Sequence, residues 1–345
     1  MTDQMLPAQE TAPAAWYRDP ALWPIERTQI FGKSWQFLTH ESALPEAGSW
    51  AAATIAGYPI LILRDGLGEL KGFHNVCRHR AGPLTKGESG RCEGGAITCQ
   101  YHGWRYAFDG RLRSARDFGP ALGFDPREFS LFPVRIATWR GLIFVALDRE
   151  IAPLSDWIAP VERWIGGADW SNLRISLRRR HELVCNWKTY VENYLEGYHL
   201  PVLHPGLNAE VDAARYTVRV EGRVVFQDAP TRSADTVYNG SFAWLWPNIA
   251  INLYSEGLMI ESMVPVGHGA TRLDYLYLTP QGVPVPAQTL ALSDAVTAED
   301  KWIVERVQEN LNAGLYDTGR LSPRHESGVA AFQSFVRGAI APLNG

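Results

Sequence analysis

Residues 75–82 read NVCRHRAG and residues 98–104 read TCQYHGW, and each of these segments supplies one cysteine and one histidine. The four side chains are Cys77, His79, Cys99 and His102. The stretch between the two segments is rich in glycine, which is typical of loops that turn tightly. Two thiols and two imidazoles can therefore converge on one metal centre.

The donor set of these loops fits an iron–sulfur cluster. A pair of thiolates can hold one iron of a [2Fe–2S] cluster while two neutral imidazoles hold the other, which makes an electron carrier of raised potential. A structural zinc site is the alternative, because zinc also binds two cysteines and two histidines. Zinc motifs use paired cysteines, whereas each loop here supplies one residue of each kind.

The surrounding sequence predicts two β-rich regions. Short apolar or alternating runs between about residues 49 and 150, separated by Gly, Pro and Asp, predict a small antiparallel β domain. A second set of runs between about 179 and 280 predicts a larger antiparallel sheet. Helices are expected at roughly 186–199 and 296–313, and the region 150–178 is interpreted as a connection. The expected fold class is α+β.

The N-terminus carries polar and acidic residues without a continuous apolar run. It is therefore interpreted as neither a secretory signal nor a membrane anchor, and residues 1–15 are expected to form a disordered tail of a cytoplasmic protein. Residues 16–37 predict a helical segment that packs on a later domain.

Composition excludes several classes of protein. The formal net charge of −4 leaves no basic field for displacing phosphate counterions, so nucleic acid is not an expected partner. Four cysteines in 345 residues are too few for a disulfide scaffold. Cys92 and Cys185 are interpreted as a loop thiol and a core residue.

A second group of metal-binding side chains follows the β domain. The run NWKTYVENYLEGYHLPVLHPGL places Glu192, Glu196 and His199 on one face of the predicted helix. Pro201 is expected to end that helix, which lets His204 turn back towards His199. Two imidazoles and one carboxylate on one side of an iron leave positions open for O2.

The expected carboxylate ligand is Asp300, in the run TAEDKWIVERVQENL. It shares a helical stripe with Ile303, Val304, Val307 and Leu311, whose burial would carry the carboxylate inward. The alternative is a charge near a helix N-terminus that the helix dipole favours.

The two Cys–His segments resemble the cluster loops of Rieske proteins, including the Gly-Trp pair that follows His102. The resemblance implies that Cys77, His79, Cys99 and His102 bind a [2Fe–2S] cluster. Rieske proteins of respiratory complexes carry an extra disulfide across these loops, and the corresponding cysteines are absent here. The pattern therefore resembles the oxygenase-associated type.

The E-x3-E-x2-H-x4-H run and the late helix resemble the catalytic domain of Rieske non-haem iron oxygenase alpha subunits. The resemblance implies that His199, His204 and Asp300 bind a mononuclear Fe(II), with O2 as co-substrate. It also implies a Rieske domain at 38–150 and a catalytic domain at 151–345 with a helix-grip (START/Bet v1-like) antiparallel sheet.

Glu196 stands where ring-hydroxylating members commonly have Asp. In the family this carboxylate bridges a cluster histidine and an iron histidine of neighbouring subunits, which implies His102 and His199 as its partners. A glutamate at this position resembles the branch that oxidises choline-like and carnitine-like quaternary amines.

The family resemblance implies a homotrimer, in which the cluster of one subunit lies beside the iron of the next. It also implies a reductase or ferredoxin that delivers electrons from NAD(P)H. The expected reaction is hydroxylation of an aromatic or other hydrophobic small molecule, by mono- or dioxygenation. The alternatives are demethylation or hydroxylation of a quaternary amine, and a Rieske electron carrier without catalysis.

The family's substrate pocket lies between the helix that carries His199 and the sheet. The side chains expected to line it, with plain core packing as the alternative, are Tyr198, Leu203, Phe242, Trp244, Asn252 and Tyr254.

Overall fold

The computed structural model describes residues 9–234 and 236–341, and the chain divides into two units. The large unit combines the segment that ends at Phe31 with Ser155–Gly345, and the small unit is Gly32–Leu154. The small unit is thus an insertion in the sequence of the large one. The small unit begins six residues before and ends four residues after the range 38–150 expected for the first domain.

The described chain opens with two short helices, α1 (Ala15–Arg18) and α2 (Leu22–Gln29). The expected helical segment is shorter than 16–37, because a strand of the small unit begins at Gln36. Glu26 of α2 is buried, forms an ion pair with Lys188 and accepts a hydrogen bond from Trp187 Nε1 at 2.9 Å. These contacts hold α2 within the large unit.

Residues 9–14 are ordered, so the expectation of a disordered tail is wrong for them. Ala12 and Ala14 are almost completely buried. The amide of Ala12 donates to Gln333 Oε1 at 2.8 Å, and that of Ala14 donates to the Asp317 carbonyl at 2.8 Å. Small side chains let this segment lie close to the C-terminal part of the chain. Residues 1–8 of the expected tail lie outside the described residues.

The small unit is built from three antiparallel sheets, in the orders β4-β3-β2-β5, β6-β7-β8 and β1-β10-β9. Its strands are β1 (Gln36–His40), β2 (Ser49–Ile55), β3 (Tyr58–Arg64), β4 (Leu70–His74), β5 (Ser89–Arg91), β6 (Ile97–Thr98), β7 (Arg105–Tyr106), β8 (Leu112–Ser114), β9 (Arg135–Trp139) and β10 (Leu142–Ala146). A single turn of 3-10 helix at Phe31–Lys33 precedes β1, and others connect strands at Glu41–Ala43, Glu93–Gly95 and Pro126–Phe129.

Strand β3 has a continuous apolar run because both of its faces are buried. Side chains alternate along a strand, so Leu61 and Leu63 face the core that contains the cysteines of the two loops. Ile60 and Ile62 face the opposite core, against β10. The small antiparallel β domain expected from the sequence is therefore present.

The large unit contains a seven-stranded antiparallel sheet with the order β11-β17-β16-β15-β14-β13-β12. Its strands are β11 (Leu173–Leu183), β12 (Thr217–Glu221), β13 (Val224–Asp228), β14 (Tyr238–Leu245), β15 (Ile249–Tyr254), β16 (Gly257–Gly267) and β17 (Ala270–Pro280). Its helices are α3 (Leu154–Ile165), α4 (Trp187–Tyr194), α5 (Leu200–Leu203), α6 (Pro205–Glu210), α7 (Ala287–Asn312) and α8 (Ser327–Ile340), with a 3-10 turn at Ala213–Arg215. Helices α3 and α8 were not expected from the sequence.

Helix α7 lies against one face of this sheet, as in the expected helix-grip architecture. It begins earlier than predicted, directly after Pro286. Its buried stripe repeats every three or four residues and consists of Thr289, Ser293, Thr297, Asp300, Val304, Gln308 and Leu311. The predicted stripe is wrong at Val307, which is exposed. The buried stripe is largely polar because its hydroxyls bond to tyrosines of β17.

Helix α4 ends at Tyr194, so the prediction of one helix to residue 199 is wrong. Gly197 follows, and a Cβ there would lie 2.6 Å from the Tyr216 ring, so only glycine fits. Pro201 does not end a helix but lies in the first turn of α5. His199 is the residue immediately before α5, and His204 is the residue immediately after it.

Within residues 9–234 and 236–341, no helix combines the length and the apolarity needed to cross a bilayer.

Candidate metal centres and substrate site

His199, His204 and Asp300 converge in the large unit, and we call them the His–His–Asp group. One ligand atom from each lies within 4.8 Å of the others. The two Nε2 atoms are 3.1 Å apart, and Asp300 Oδ1 lies 3.1 Å from Nε2 of His204 and 3.9 Å from that of His199. The turn of α5 brings the imidazoles together, and the buried stripe of α7 supplies the carboxylate.

Each imidazole of this group is oriented by a second carboxylate. His199 Nδ1 lies 2.5 Å from Glu196 Oε1, and His204 Nδ1 lies 2.7 Å from Glu299 Oε2. A carboxylate on Nδ1 fixes the tautomer that leaves Nε2 free for a metal. The side chains present therefore fit a divalent iron with open positions.

Burial alone would lower the pKa of His204, but its hydrogen bonds to Asp300 and Glu299 raise it above the ordinary value. This shows how strongly acidic the surroundings are. A divalent cation bound here would balance the negative charge of the carboxylates, which otherwise favours protonation of His204.

Sequence reasoning missed two residues that contact the His–His–Asp group. Glu299 precedes Asp300 in the chain, and only the fold shows that it reaches His204. Asn193 Nδ2 donates to Asp300 Oδ1 at 2.7 Å, which holds that carboxylate in place. A polar residue on α4 gives no signal of this contact in the sequence.

Glu192 is not part of this group, in contrast to its predicted position on one helix face with Glu196. It accepts hydrogen bonds from the Tyr17 hydroxyl at 2.6 Å and from Gln333 Nε2 at 3.0 Å. Burial raises the pKa of Glu192 to about 7. Its role is to connect α4 with α1 and α8.

The two Cys–His loops bring their donors together in the small unit. Cys77 and Cys99 are buried, and the rings of His79 and His102 lie 4.6 Å apart. Trp104, from the Gly-Trp pair, stacks on His79 at 4.8 Å and 8°. The tryptophan thus covers one face of the His79 ring with an apolar surface.

The atoms of these loops fit a metal cluster. His79 Nδ1 is buried and has no hydrogen-bond partner, which would be unfavourable unless the atom binds a metal. Burial raises the pKa of the Cys77 thiol, so a thiolate there needs a metal to be stable. Cys77 Sγ lies 3.1 Å from the Tyr106 hydroxyl, which also accepts the Arg78 amide at 3.1 Å.

Cys92 is a partly buried loop thiol and Cys185 a buried core residue, as interpreted from the sequence. Burial raises the pKa of Cys185 to about 12. Both remain free thiols.

Six tyrosines surround the helix-facing side of the large sheet, and we call them the tyrosine array. They come from α4, β14, β15 and β17 and are Tyr190, Tyr194, Tyr238, Tyr254, Tyr275 and Tyr277. Successive rings lie close together, with 4.9 Å between Tyr238 and Tyr254 and 6.2 Å between Tyr254 and Tyr277. Burial is the largest cause that raises the pKa of Tyr190, Tyr238 and Tyr275, and the charge of the Asp300 carboxylate adds to it. The array therefore adjoins the His–His–Asp group.

The structure places three of the six predicted lining residues at or beside the tyrosine array. Tyr254 belongs to the array, and Asn252 accepts the Tyr194 hydroxyl at 2.9 Å. Phe242 packs on Tyr238, with 5.7 Å between ring centroids. These positions fit a lining role.

The other three predicted residues lie elsewhere. Trp244 is fully buried against Trp246 and Phe332 of the core, which is the packing alternative. Tyr198 is exposed and stacks on His325 at 4.7 Å. Leu203 is partly buried at the end of α5.

A cavity of about 330 Å³ lies on the opposite face of the sheet, away from the His–His–Asp group. Trp164 and Trp170 line it together with Leu253 and Leu258, whose side chains point away from the array. It has no metal-binding side-chain cluster beside it among the described residues, so we do not assign the chemistry to it.

Models of known protein families match sequence segments in both units. The Rieske [2Fe-2S] domain matches residues 34–132, and the ring hydroxylating alpha subunit (catalytic domain) matches residues 170–231 and 211–341. These matches imply a Rieske [2Fe–2S] cluster, a mononuclear iron and O2 as co-substrate. The cluster-domain match removes the zinc alternative for the Cys–His loops. The catalytic-domain match, together with the convergence of His199, His204 and Asp300, argues against a Rieske electron carrier with a degenerate second domain.

Two curated relatives align over almost the whole chain. The chloroplastic choline monooxygenase of Beta vulgaris is 31% identical, over 97% of this chain and 78% of its own length. The carnitine monooxygenase oxygenase subunit of Escherichia coli (strain K12) is 30% identical, over 94% of this chain and 92% of its own length.

Solved structures show the same architecture. A quaternary ammonium Rieske monooxygenase, studied for carnitine oxidation and inter-subunit electron transfer, has a TM-score of 0.86 and 26% identity, covering 97% of this chain and 99% of that chain. Naphthalene 1,2-dioxygenase from Rhodococcus sp. has a TM-score of 0.76 and 19% identity, covering 97% and 95%, and shares the fold. With both family matches and these relatives, the chain belongs to the Rieske non-haem iron oxygenases, as an oxidoreductase catalytic (alpha) subunit.

Proposed function

We propose that this chain is the oxygenase component of a monooxygenase that oxidises a quaternary ammonium compound. The observation that carries the proposal is the tyrosine array beside Asp300. Tyrosine rings have electron-rich faces, and several of them around one space form the kind of cage that binds quaternary ammonium groups. An array of this composition suits a cation better than an aromatic hydrocarbon.

The relatives support the same substrate class. The choline and carnitine monooxygenases that align over nearly the full chain are named for quaternary amines. Hydroxylation of an aromatic compound, the first expectation from the sequence, has no such support, because the naphthalene dioxygenases share the fold alone at 18–20% identity. Glu196 in place of Asp is consistent with the quaternary amine branch.

In the proposed mechanism His199, His204 and Asp300 hold the iron, while Glu196 and Glu299 keep both Nε2 lone pairs directed at it. When bound, the cluster supplies electrons and the iron supplies O2 activation. The protein's own contribution is to position the substrate and to exclude bulk water through the buried tyrosines.

Cys77, His79, Cys99 and His102 hold the cluster in this proposal. Glu196 of one subunit would connect His199 to His102 of a neighbouring subunit in a homotrimer, with a reductase or ferredoxin delivering electrons from NAD(P)H. A cytoplasmic location remains a prediction of the sequence.

The test is oxygen consumption by the iron-loaded protein with a surrogate reductase. The compounds are choline, L-carnitine, γ-butyrobetaine, naphthalene and indole, and products are identified by mass spectrometry. We expect oxygen uptake coupled to a hydroxylated or dealkylated product with at least one quaternary amine. Coupled oxidation of the aromatic compounds alone would contradict the proposal.

A further inference from the structure

Glu261 is a buried carboxylate on β16 at the centre of the tyrosine array. Its side chain is 3% exposed, and Oε1 accepts a hydrogen bond from the Tyr190 hydroxyl at 2.7 Å. The Tyr275 hydroxyl lies 3.3 Å from that of Tyr190 and also bonds to Thr297 at 3.0 Å. Among residues 9–234 and 236–341, no Lys, Arg or His forms an ion pair with Glu261.

An unpaired buried carboxylate is unfavourable, because ionisation in an apolar interior lacks compensation. Burial, the largest cause, and the charge of Asp300 together raise the pKa of Glu261 to about 7, against the opposite effect of the Tyr190 and Tyr275 hydroxyls. Both hydroxyls are neutral, so neither supplies a positive charge to balance an ionised Glu261.

The polar groups around Glu261 come from α4, β14, β15 and β17. Its carboxylate acts electrostatically on five members of the array, which are Tyr190, Tyr194, Tyr238, Tyr275 and Tyr277. The Asn252 amide nitrogen makes no hydrogen bond of ordinary geometry, yet it lies near enough to lower the pKa of Glu261. Tyrosine side chains and one carboxylate thus lie together, and no basic side chain among residues 9–234 and 236–341 pairs with that carboxylate.

We propose that Glu261 is the anionic partner of the substrate's ammonium group and selects a cationic head group over a neutral one of the same shape. The tyrosine rings fit the methyl groups, and the carboxylate supplies the opposite charge that rings alone provide only weakly. The inference rests on the proposed function, since it assigns the specificity of that same site.

The first experiment measures binding to the full-length, iron-loaded protein by calorimetry. The probes are choline and its neutral carbon isostere, 3,3-dimethylbutan-1-ol. We expect the wild-type protein to prefer choline and Glu261→Gln to weaken choline binding by about 30-fold or more. The neutral alcohol should bind both proteins equally. Glu256→Gln, in the turn before β16, is the matched control and should keep the wild-type preference.

Iron content and cluster absorption are measured on each variant. A Glu261→Gln protein that keeps its iron, its cluster and its preference for choline overturns the inference. A wild-type protein without any preference for choline overturns it as well.

A second measurement does not depend on any variant. Choline should favour the ionised form of Glu261, so its binding near pH 7 should release protons from the wild-type protein, whereas the neutral alcohol should release none. Calorimetry in two buffers of different ionisation enthalpy measures this release. Equal proton release for both probes contradicts the inference.

The outcomes also separate this inference from the proposed function. If choline binding depends on Glu261 but none of the quaternary amines is oxidised, the proposed reaction fails and the charge selection stands. If a quaternary amine is oxidised with the same preference in Glu261→Gln, the charge selection fails alone.

Discussion

The substitution Glu299→Gln tests whether the carboxylate behind His204 is part of the metal site. It removes the acceptor that lies 2.7 Å from His204 Nδ1 while keeping the length of the side chain. Carboxylates that orient a ligating histidine typically contribute 10- to 100-fold to metal affinity, which is about 1.4–2.7 kcal/mol. Because the Glu299 side chain is 33% exposed, solvent screens part of the effect, and we expect about tenfold weaker Fe(II) binding.

The assay is an anaerobic Fe(II) titration against a competing chelator, using protein that retains its cluster. Glu309→Gln is the matched control, because Glu309 lies on the same helix, is 60% exposed and pairs only with Arg306 among the described residues. Circular dichroism checks that both variants keep the fold. If Glu299→Gln binds Fe(II) within about twofold of the wild-type and control proteins, the orienting role assigned to Glu299 is refuted.

Three further predictions concern other groups. Lys188→Met leaves Glu26 buried without its partner, so the free energy of unfolding in urea should fall by about 3–5 kcal/mol. It should recover in the double variant with Glu26→Leu. An unchanged free energy of unfolding in Lys188→Met would contradict this prediction. Tyr106→Phe removes a hydroxyl 3.1 Å from Cys77 Sγ, and voltammetry should show a lower reduction potential of the cluster, since hydrogen bonds to sulfur raise it. Burial raises the pKa of Glu192 from 4.5 to about 7, so between these pH values the folded state holds a proton that the unfolded chain has lost. The free energy of unfolding should therefore fall as the pH rises through this range. Glu192→Gln should reduce that fall by up to about 3 kcal/mol in urea melts, and a pH profile identical to that of the wild-type protein would count against the prediction.

The convergence of the proposed metal ligands could be predicted because the chemistry of such ligands restricts their spacing. A cysteine and a histidine in each of two glycine-rich loops have few uses besides a metal centre. His199, His204 and Asp300 were predicted in the same way, although the reason given for the turn was wrong. The chain turns before His199, because Gly197 passes the Tyr216 ring, and that tertiary contact leaves no pattern in the local sequence.

The proposed substrate site was harder to predict because its residues lie on five separate elements, which are α4, β14, β15, β16 and β17. Tyr238, Tyr254 and Tyr277 are neighbours only through the register of β14, β15 and β17. Glu261 lies in the run GLMIESMVPV, where one acidic residue does not reveal whether it is buried. The ordered segment at Ala12 and Ala14 was missed for a related reason. Its polar composition predicts disorder, and the local sequence does not show the hydrogen-bond acceptors that hold it, which lie some 300 residues further along the chain.

The small unit is inserted into the sequence of the large one, so a ribosome finishes synthesising the small unit before the large unit. At roughly 5–20 residues per second, Glu26 emerges about 8–30 s before Lys188, its buried partner. The continuous segment Gly32–Leu154 can fold during that interval, whereas the large unit must wait for the C-terminal helix. Translation speed and chaperone access should therefore influence the yield of the catalytic unit more than that of the cluster unit.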